Sequence, residues 1–356
     1  MEDMVTHEEN EHFGEEMKES REAPGAPDIN TSVRDKEFLD QFSFYFERID
    51  EELNRTLGSR VSLIEEIGRH TILGRGKRLR PLLFILSANL CGYEGRDTYR
   101  LSIVFEYIHT SSLIHDDVLD HAHTRRRKQS ANCLWGNRAA ILGGDFFFSR
   151  AFSLCSGCRD ARFLRVLTGT TVRMAEAEAL ELCHTHDWEL SKERYLEIVI
   201  GKTAVLISAA CECGAIISGA EQWAVEQLRQ FGINAGIAFQ LVDDLLDYIS
   251  SEEELGKPVG NDLKEGKITL PLIYTLSTLE EAERRQLMDL FKNNLANDQD
   301  YRQLIGLVRD NGVVDRIKAD AKAYADKAAR CLDVFPPSWS RKMLLELNRY
   351  IIEREY

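Results

Sequence analysis

Asp116, Asp117 and Asp120 form an Asp-Asp-x-x-Asp cluster, and Arg125, Arg126 and Arg127 follow it closely. Asp243, Asp244 and Asp247 form a second cluster, inside the run FQLVDDLLDY. On a helix the carboxylates four apart share a face, where like charges repel by about 0.2–0.5 kcal/mol. A hard cation reverses that sign. Mg²⁺ binds through one or two carboxylates, keeps waters, and takes substrate phosphates at its remaining positions. Neighbouring arginines grip phosphate oxygens bidentately. A single such cluster reads equally well as a solvated acidic helix end beside a basic patch. Two of them, each following an apolar helical pattern, favour a paired magnesium–diphosphate site.

Other residues could serve the same chemistry. In Gly74–Pro81, GRGKRLRP, a basic loop feeds a helix expected over 81–90, with proline in its first turn. That is an anion site with Lys77 and Arg80 as counter-charges, or else an exposed basic turn. His109 lies two turns before Asp116 on the same face. Gly201-Lys202-Thr203 interrupts an apolar helix expected from Ser191 to about Ser218. Glycine there costs about 1 kcal/mol relative to alanine. Either Lys202 snorkels to the surface, or the helix kinks and offers polar groups to a cavity. Gln240 shares a face with Asp243 and Asp247. Residues 252–271 read as a mobile basic flap carrying Lys257 and Lys267.

These residues need long helices to carry them. Between Pro81 and Pro258 lie 176 residues without a proline, where strand-to-strand turns would supply several. Apolar residues recur at threes and fours from Phe38 onward. Further helices are expected over 137–152 and 172–182. The fold is therefore expected to be all-α, one domain over 38–356. Residues 1–37 hold twelve acids against four bases and lack apolar periodicity, so they read as a disordered acidic tail.

Composition narrows the function. The net charge of −14 excludes nucleic acid as a natural partner. Hydrophobic residues make up 44% of the chain, enough for a large core. No run is read as the roughly 18 apolar residues of a membrane span. Eight cysteines without a secretory leader suggest reduced thiols in the cytoplasm. Cys155-x-x-Cys158 and Cys211-x-Cys213 lack matched zinc-ligand partners and read as buried thiols.

A set of motifs in order resembles the trans-prenyl diphosphate synthases: Gly76–Pro81 (GKRLRP), the first aspartate cluster with Arg125-Arg126, Gly201-Lys202-Thr203, and FQLVDDLLDY. Within that family the chain is similar to the long-chain, octaprenyl type. The resemblance implies a bundle of ten or more helices around a central cavity, commonly in a homodimer. It implies Asp116, Asp120 and Asp243 as ligands of three Mg²⁺, with Asp117, Asp244 and Asp247 behind them and Mn²⁺ able to substitute. Lys77, Arg80, His109 and Arg126 match the isopentenyl diphosphate site. Arg125, Lys202, Thr203, Gln240, Lys257 and Lys267 match contacts to the allylic diphosphate. Lys202, Thr203 and Gln240 would also face the allylic cation. Arg75, His121, His123 and Arg127 depart from the family pattern in the loops.

A class I terpene cyclase would share the cation chemistry but would not carry Lys77 and Arg80 beside a second Asp-rich motif. A non-catalytic synthase subunit would have lost aspartates. Chain length turns on Ser111 and Ser112, where short-chain relatives carry aromatics. Their small size implies a deep cavity with Ile108 and Phe105, about 12 and 16 Å along the helix from Asp116, towards its floor. Products beyond twenty carbons are expected, thirty to forty-five by resemblance, with peripheral membrane contact for their release.

Overall fold

The computed structural model describes residues 40–353, apart from 75, 94, 96, 126, 127, 251–258, 294 and 311. The acidic tail, Arg75, Arg126, Arg127 and Lys257 lie outside the described residues. Helices dominate: α1 (Ser43–Thr56), α2 (Ser62–Thr71), α3 (Leu79–Leu90), α4 (Asp97–Leu119), α5 (Ala131–Cys155), α6 (Ala161–Cys183) and α7 (Lys192–Val199). A π-helical turn (Ile200–Ala204) leads into α8 (Val205–Ile217) and the long α9 (Gln222–Ile249). Then come α10 (Asn261–Lys264), α11 (Leu270–Thr278), α12 (Glu281–Lys292), α13 (Asp298–Asp310), α14 (Val313–Cys331) and α15 (Trp339–Glu353). The described strands are β1 (Thr124–Arg125) and β2 (Lys128–Gln129), an antiparallel pair after α4 with Thr124 opposite Gln129.

Local sequence explains the boundaries. Asp160 and Ser191 cap α6 and α7 by accepting from Arg162 N and Arg194 N. The helix expected from Asn137 starts there, after a kink at the non-helical Gly136 (φ 79°), and a short helical stretch from Ala131 precedes it. The one expected from Val172 likewise begins at Ala161.

The expected interruption at Gly201–Thr203 is a π-turn, closed by a hydrogen bond from Val205 N to Ile200 O. Two glycines let neighbours approach it. A Cβ on Gly201 would lie 2.3 Å from the Ala177 Cβ on α6, and one on Gly236 would lie 2.6 Å from the Ala204 Cα. Helix α9 packs on α8, α14 and the π-turn, and α4 packs on α5 and α3. Both meet in a large apolar cluster. The second half of α9 enters another cluster, through Leu241, Leu245 and Tyr248.

One expectation is corrected. The continuous stretch Lys192–Ile217 is long and apolar enough to cross a membrane, with a mean hydropathy of 1.6. Its most apolar 18-residue window is 78% buried in the fold because α8 packs between α3, α6 and α9. All eight cysteines are free thiols.

Gly201→Val should force α6 away from the π-turn. The expected cost is about 1–3 kcal/mol, read as a lower urea midpoint. An unchanged midpoint would show that the contact yields freely.

Candidate active site

A cavity of about 150 Å³ opens beside the π-turn, lined by Lys202, Thr203, Gln240, Asp244 and Lys267 together with Glu181, His184 and Tyr195. Five residues expected from the sequence therefore share one wall. The close contact at Gly236 explains part of this, since it sets Gln240 one turn further on against the π-turn. Thr203 Oγ1 donates to Gln240 Oε1 at 2.8 Å, and Gln240 Nε2 donates to Asp244 Oδ1 at 2.7 Å. Tyr195 OH donates to the other Asp244 oxygen at 2.6 Å.

Lys202 points into a nest of carboxylates. Its Nζ lies 3.0 Å from Glu178, and it also bonds Glu181. Burial lowers its pKa, but Glu181, Glu178 and Asp116 outweigh burial and raise it. Lys267 Nζ donates to Asp120 Oδ2 at 2.8 Å and to Glu265 at 2.7 Å. Burial is again outweighed, by Glu181, Glu265 and Asp120. Arg125 Nε and Nη2 donate to Asp117 Oδ1 at 2.8 and 2.5 Å.

The six cluster aspartates divide by environment. Asp117, Asp244 and Asp247 are buried, whereas Asp116, Asp120 and Asp243 are only partly so. The buried three are held structurally: Asp117 by Arg125, Asp244 by Tyr195 and Gln240, and Asp247 by the backbone N–H of Asp262 at 3.1 Å. Burial, Glu178 and Asp120 push Asp116 up to about 7 against the pull of Lys202 and Arg125. Burial, with Asp243 and Asp247, pushes Asp244 to about 7 despite its two hydrogen bonds.

The other expected residues lie elsewhere. Lys77 is exposed and donates to Tyr350 OH on α15 at 3.2 Å. Arg80 sits on the first turn of α3 and His109 on α4, and neither lines the cavity. On α4, Ser112 and Phe105 fall within about 40° of Asp116 around the helix axis, whereas Ile108 is about 80° and Ser111 about 140° away. Ser111 is fully buried, and its hydroxyl donates to Gly144 O at 2.8 Å where α4 meets α5. Ser112 is partly open, and Phe105 is buried against Phe84 and Phe163, with ring centroids 5.5 and 6.1 Å away. The described part of the expected flap holds regular structure. Val259–Lys267 contains α10, and Gly260 N donates to Asp247 O at 2.8 Å.

Sequence reasoning missed Glu178, Glu181, His184 and Tyr195. The first two lie at helical spacing on α6, a pattern indistinguishable from a solvated acidic face. His184 bonds Asp187 at 2.7 Å from a turn that reads as mere polar connection.

Comparison with known proteins completes the picture. Residues 61–308 match the family profile described as Polyprenyl synthetase. The chain is 35% identical over 312 residues to the all-trans-nonaprenyl-diphosphate synthase (geranyl-diphosphate specific) of Rhodobacter capsulatus, covering 87% of this chain and 94% of that one. It is 34% identical over 311 residues to the octaprenyl diphosphate synthase of Escherichia coli, covering 84% and 92%; a geranylgeranyl diphosphate synthase is also among the matches. The crystal structure of a polyprenyl synthase from Caulobacter crescentus, complexed with calcium and isoprenyl diphosphate, superposes with a TM-score of 0.85 at 36% identity, over 90% of this chain and 97% of that one. The all-α architecture, the ordered motifs and these likenesses agree: the chain belongs to the polyprenyl synthetase family and is a trans-prenyltransferase, a prenyl diphosphate synthase.

Proposed function

We propose that this enzyme is a magnesium-dependent synthase that condenses isopentenyl diphosphate head-to-tail onto an allylic diphosphate, to all-trans products longer than twenty carbons. The observation that carries the length is Ser112, a small and partly open residue one turn from Asp116 on its own face. The names of the nonaprenyl and octaprenyl relatives support it.

The donor set fits a divalent metal. Asp116, Asp120 and Asp243 are the less buried aspartates of the two clusters, and Asp116 is pushed up to about 7 by burial and by neighbouring Glu178. Mg²⁺ needs only one or two carboxylates and completes its shell with waters and substrate phosphates. When bound, the metal supplies positive charge to the departing diphosphate.

The chain's own residues do the rest. Arg125, Lys202 and Lys267 receive the allylic diphosphate, each exchanging carboxylate partners for phosphate oxygens. Lys77, Arg80 and His109 hold the isopentenyl diphosphate, which does not leave. The Thr203 hydroxyl, the Gln240 amide oxygen and the Lys202 carbonyl in the π-turn face the allylic cation as dipoles that do not capture it. Arg126 and Lys257 join these sets by their place in the motifs. The isopentenyl double bond attacks the allylic carbon, diphosphate departs with the bonding pair, and a proton is lost to the released diphosphate.

A homodimer is the proposed assembly. Large apolar side chains are exposed at Ile141 and Leu142 on α5 and at Leu164, Val172 and Leu182 on α6. Exposed apolar residues of this size suit an interface with a second copy.

The deciding assay supplies purified protein, Mg²⁺, farnesyl diphosphate and labelled isopentenyl diphosphate, then separates dephosphorylated products by reversed-phase chromatography. Products beyond twenty carbons are expected, and Ser112→Phe should shorten them. A wild-type product ending at fifteen or twenty carbons would refute the long-chain reading. Asp116→Ala and Asp243→Ala should each lower kcat by about 10²–10³-fold with unchanged circular dichroism; near-normal turnover at saturating Mg²⁺ would refute the metal assignment. Leu142→Asp should halve the mass seen by light scattering, and an unchanged mass would place the interface elsewhere.

A further inference from the structure

Arg78 stands between Lys77 and Arg80 but points the opposite way. Lys77 is exposed, whereas the Arg78 side chain is 4% exposed. The Arg78 backbone is left-handed, with φ 47°. Its guanidinium is almost fully used. Nε donates to Asp50 Oδ1 at 2.9 Å and Nη1 to Glu106 Oε1 at 2.8 Å. Nη2 donates to the carbonyls of Ile72 at 2.6 Å and Gly74 at 3.3 Å.

These bonds have a geometric meaning. The two carbonyls belong to residues 72 and 74, so the side chain ties position 78 back to the chain that leaves α2. Between 72 and 78 lie Gly74 and Gly76, whose backbones are the freest of all residues. Asp50 lies on α1, and Glu106 on α4, three residues before His109. A left-handed non-glycine residue persists where its surroundings over-determine it, and here one planar fork meets α1, α4 and the loop backbone together. Lysine could not reproduce that fork.

We propose that Arg78 is a positioning residue: it ties residues 72, 74 and 78 to α1 and α4, so that Lys77 and Arg80 are held in register with the turn of α4 that carries His109. This rests on the reading of Lys77, Arg80 and His109 as the isopentenyl diphosphate site. Stability alone is a poor account of Arg78, because a buried ion pair can be replaced by apolar residues of similar volume at little loss. What apolar residues cannot replace is the tie to the carbonyls of Ile72 and Gly74.

That difference supplies the test. Arg78→Met alone strands the buried Glu106 carboxylate, so the informative variant is the double Arg78→Met/Glu106→Leu, which removes both charges. Its melting temperature should stay near wild type, while KM for isopentenyl diphosphate rises about 10- to 100-fold. KM for the allylic diphosphate should change by less than about twofold, since misplacement is confined to the other site. Glu106→Gln, which keeps shape and a hydrogen-bond acceptor, should move the same constant by a smaller factor. A wild-type KM for isopentenyl diphosphate in the folded double variant would overturn the proposal, as would equal rises for both substrates. If the double variant does not fold, Glu106→Gln decides on the same two constants. Lys77→Ala, measured alongside, separates the two readings. If it leaves KM for isopentenyl diphosphate unchanged, the site assignment fails. If it raises that constant and the Arg78 variants do not, Arg78 alone loses its role.

Discussion

The ammonium of Lys202, set among Glu178, Glu181 and Asp116, is the interaction on which the site depends. It draws together α6, the π-turn and the end of α4. Carboxylates buried without enough positive charge repel one another and seek protons. Here Lys202, Lys267 and Arg125 hold that tendency in check, but not fully, since Asp116 still rises to about 7. That residual demand for positive charge is one that the proposed metal-bound diphosphate would meet.

The helical frame makes this density of charge tolerable. Helix α9 runs through both apolar clusters, anchored at one end by Leu228 and Phe231 and at the other by Leu241, Leu245 and Tyr248. Asp244 and Asp247 are thereby fixed in the core. Their hydrogen bonds from Tyr195, Gln240 and the backbone of α10 brace the neighbouring flap and turn rather than reach solvent. Asp243, on the more open side, is left in the better position to meet a ligand.

Much of this could be read from the chain alone, for definite reasons. The paired aspartates are visible because equal charges at helical spacing are unfavourable without a ligand. Lys202 is visible because glycine, lysine and threonine interrupt an apolar run. Glu178 and Glu181 were hidden because an acidic pair on a helix looks the same whether it faces water or a buried ammonium. Ser111 and Ser112 could not be told apart in sequence. Residues 111 and 112 are adjacent in sequence, but the helix turns about 100° between them, so only one of them shares the side of Asp116. Arg78 lay unnoticed inside a basic motif, because nothing local reveals which of four neighbouring cations turns inward.

The π-turn also acts as a phase shifter. A single α-helix from Lys192 to Ile217 would present one fixed angular sequence of side chains along its whole length. Widening one turn by a residue rotates everything beyond it by about 100° relative to everything before. Tyr195, ahead of the shift, and Ser208, beyond it, thus answer to different angular origins, and each half keeps its own apolar side turned to its own neighbours. Losing one residue anywhere in Ile200–Ala204 would merge the two phases, and one half or the other would have to present its polar side to the core.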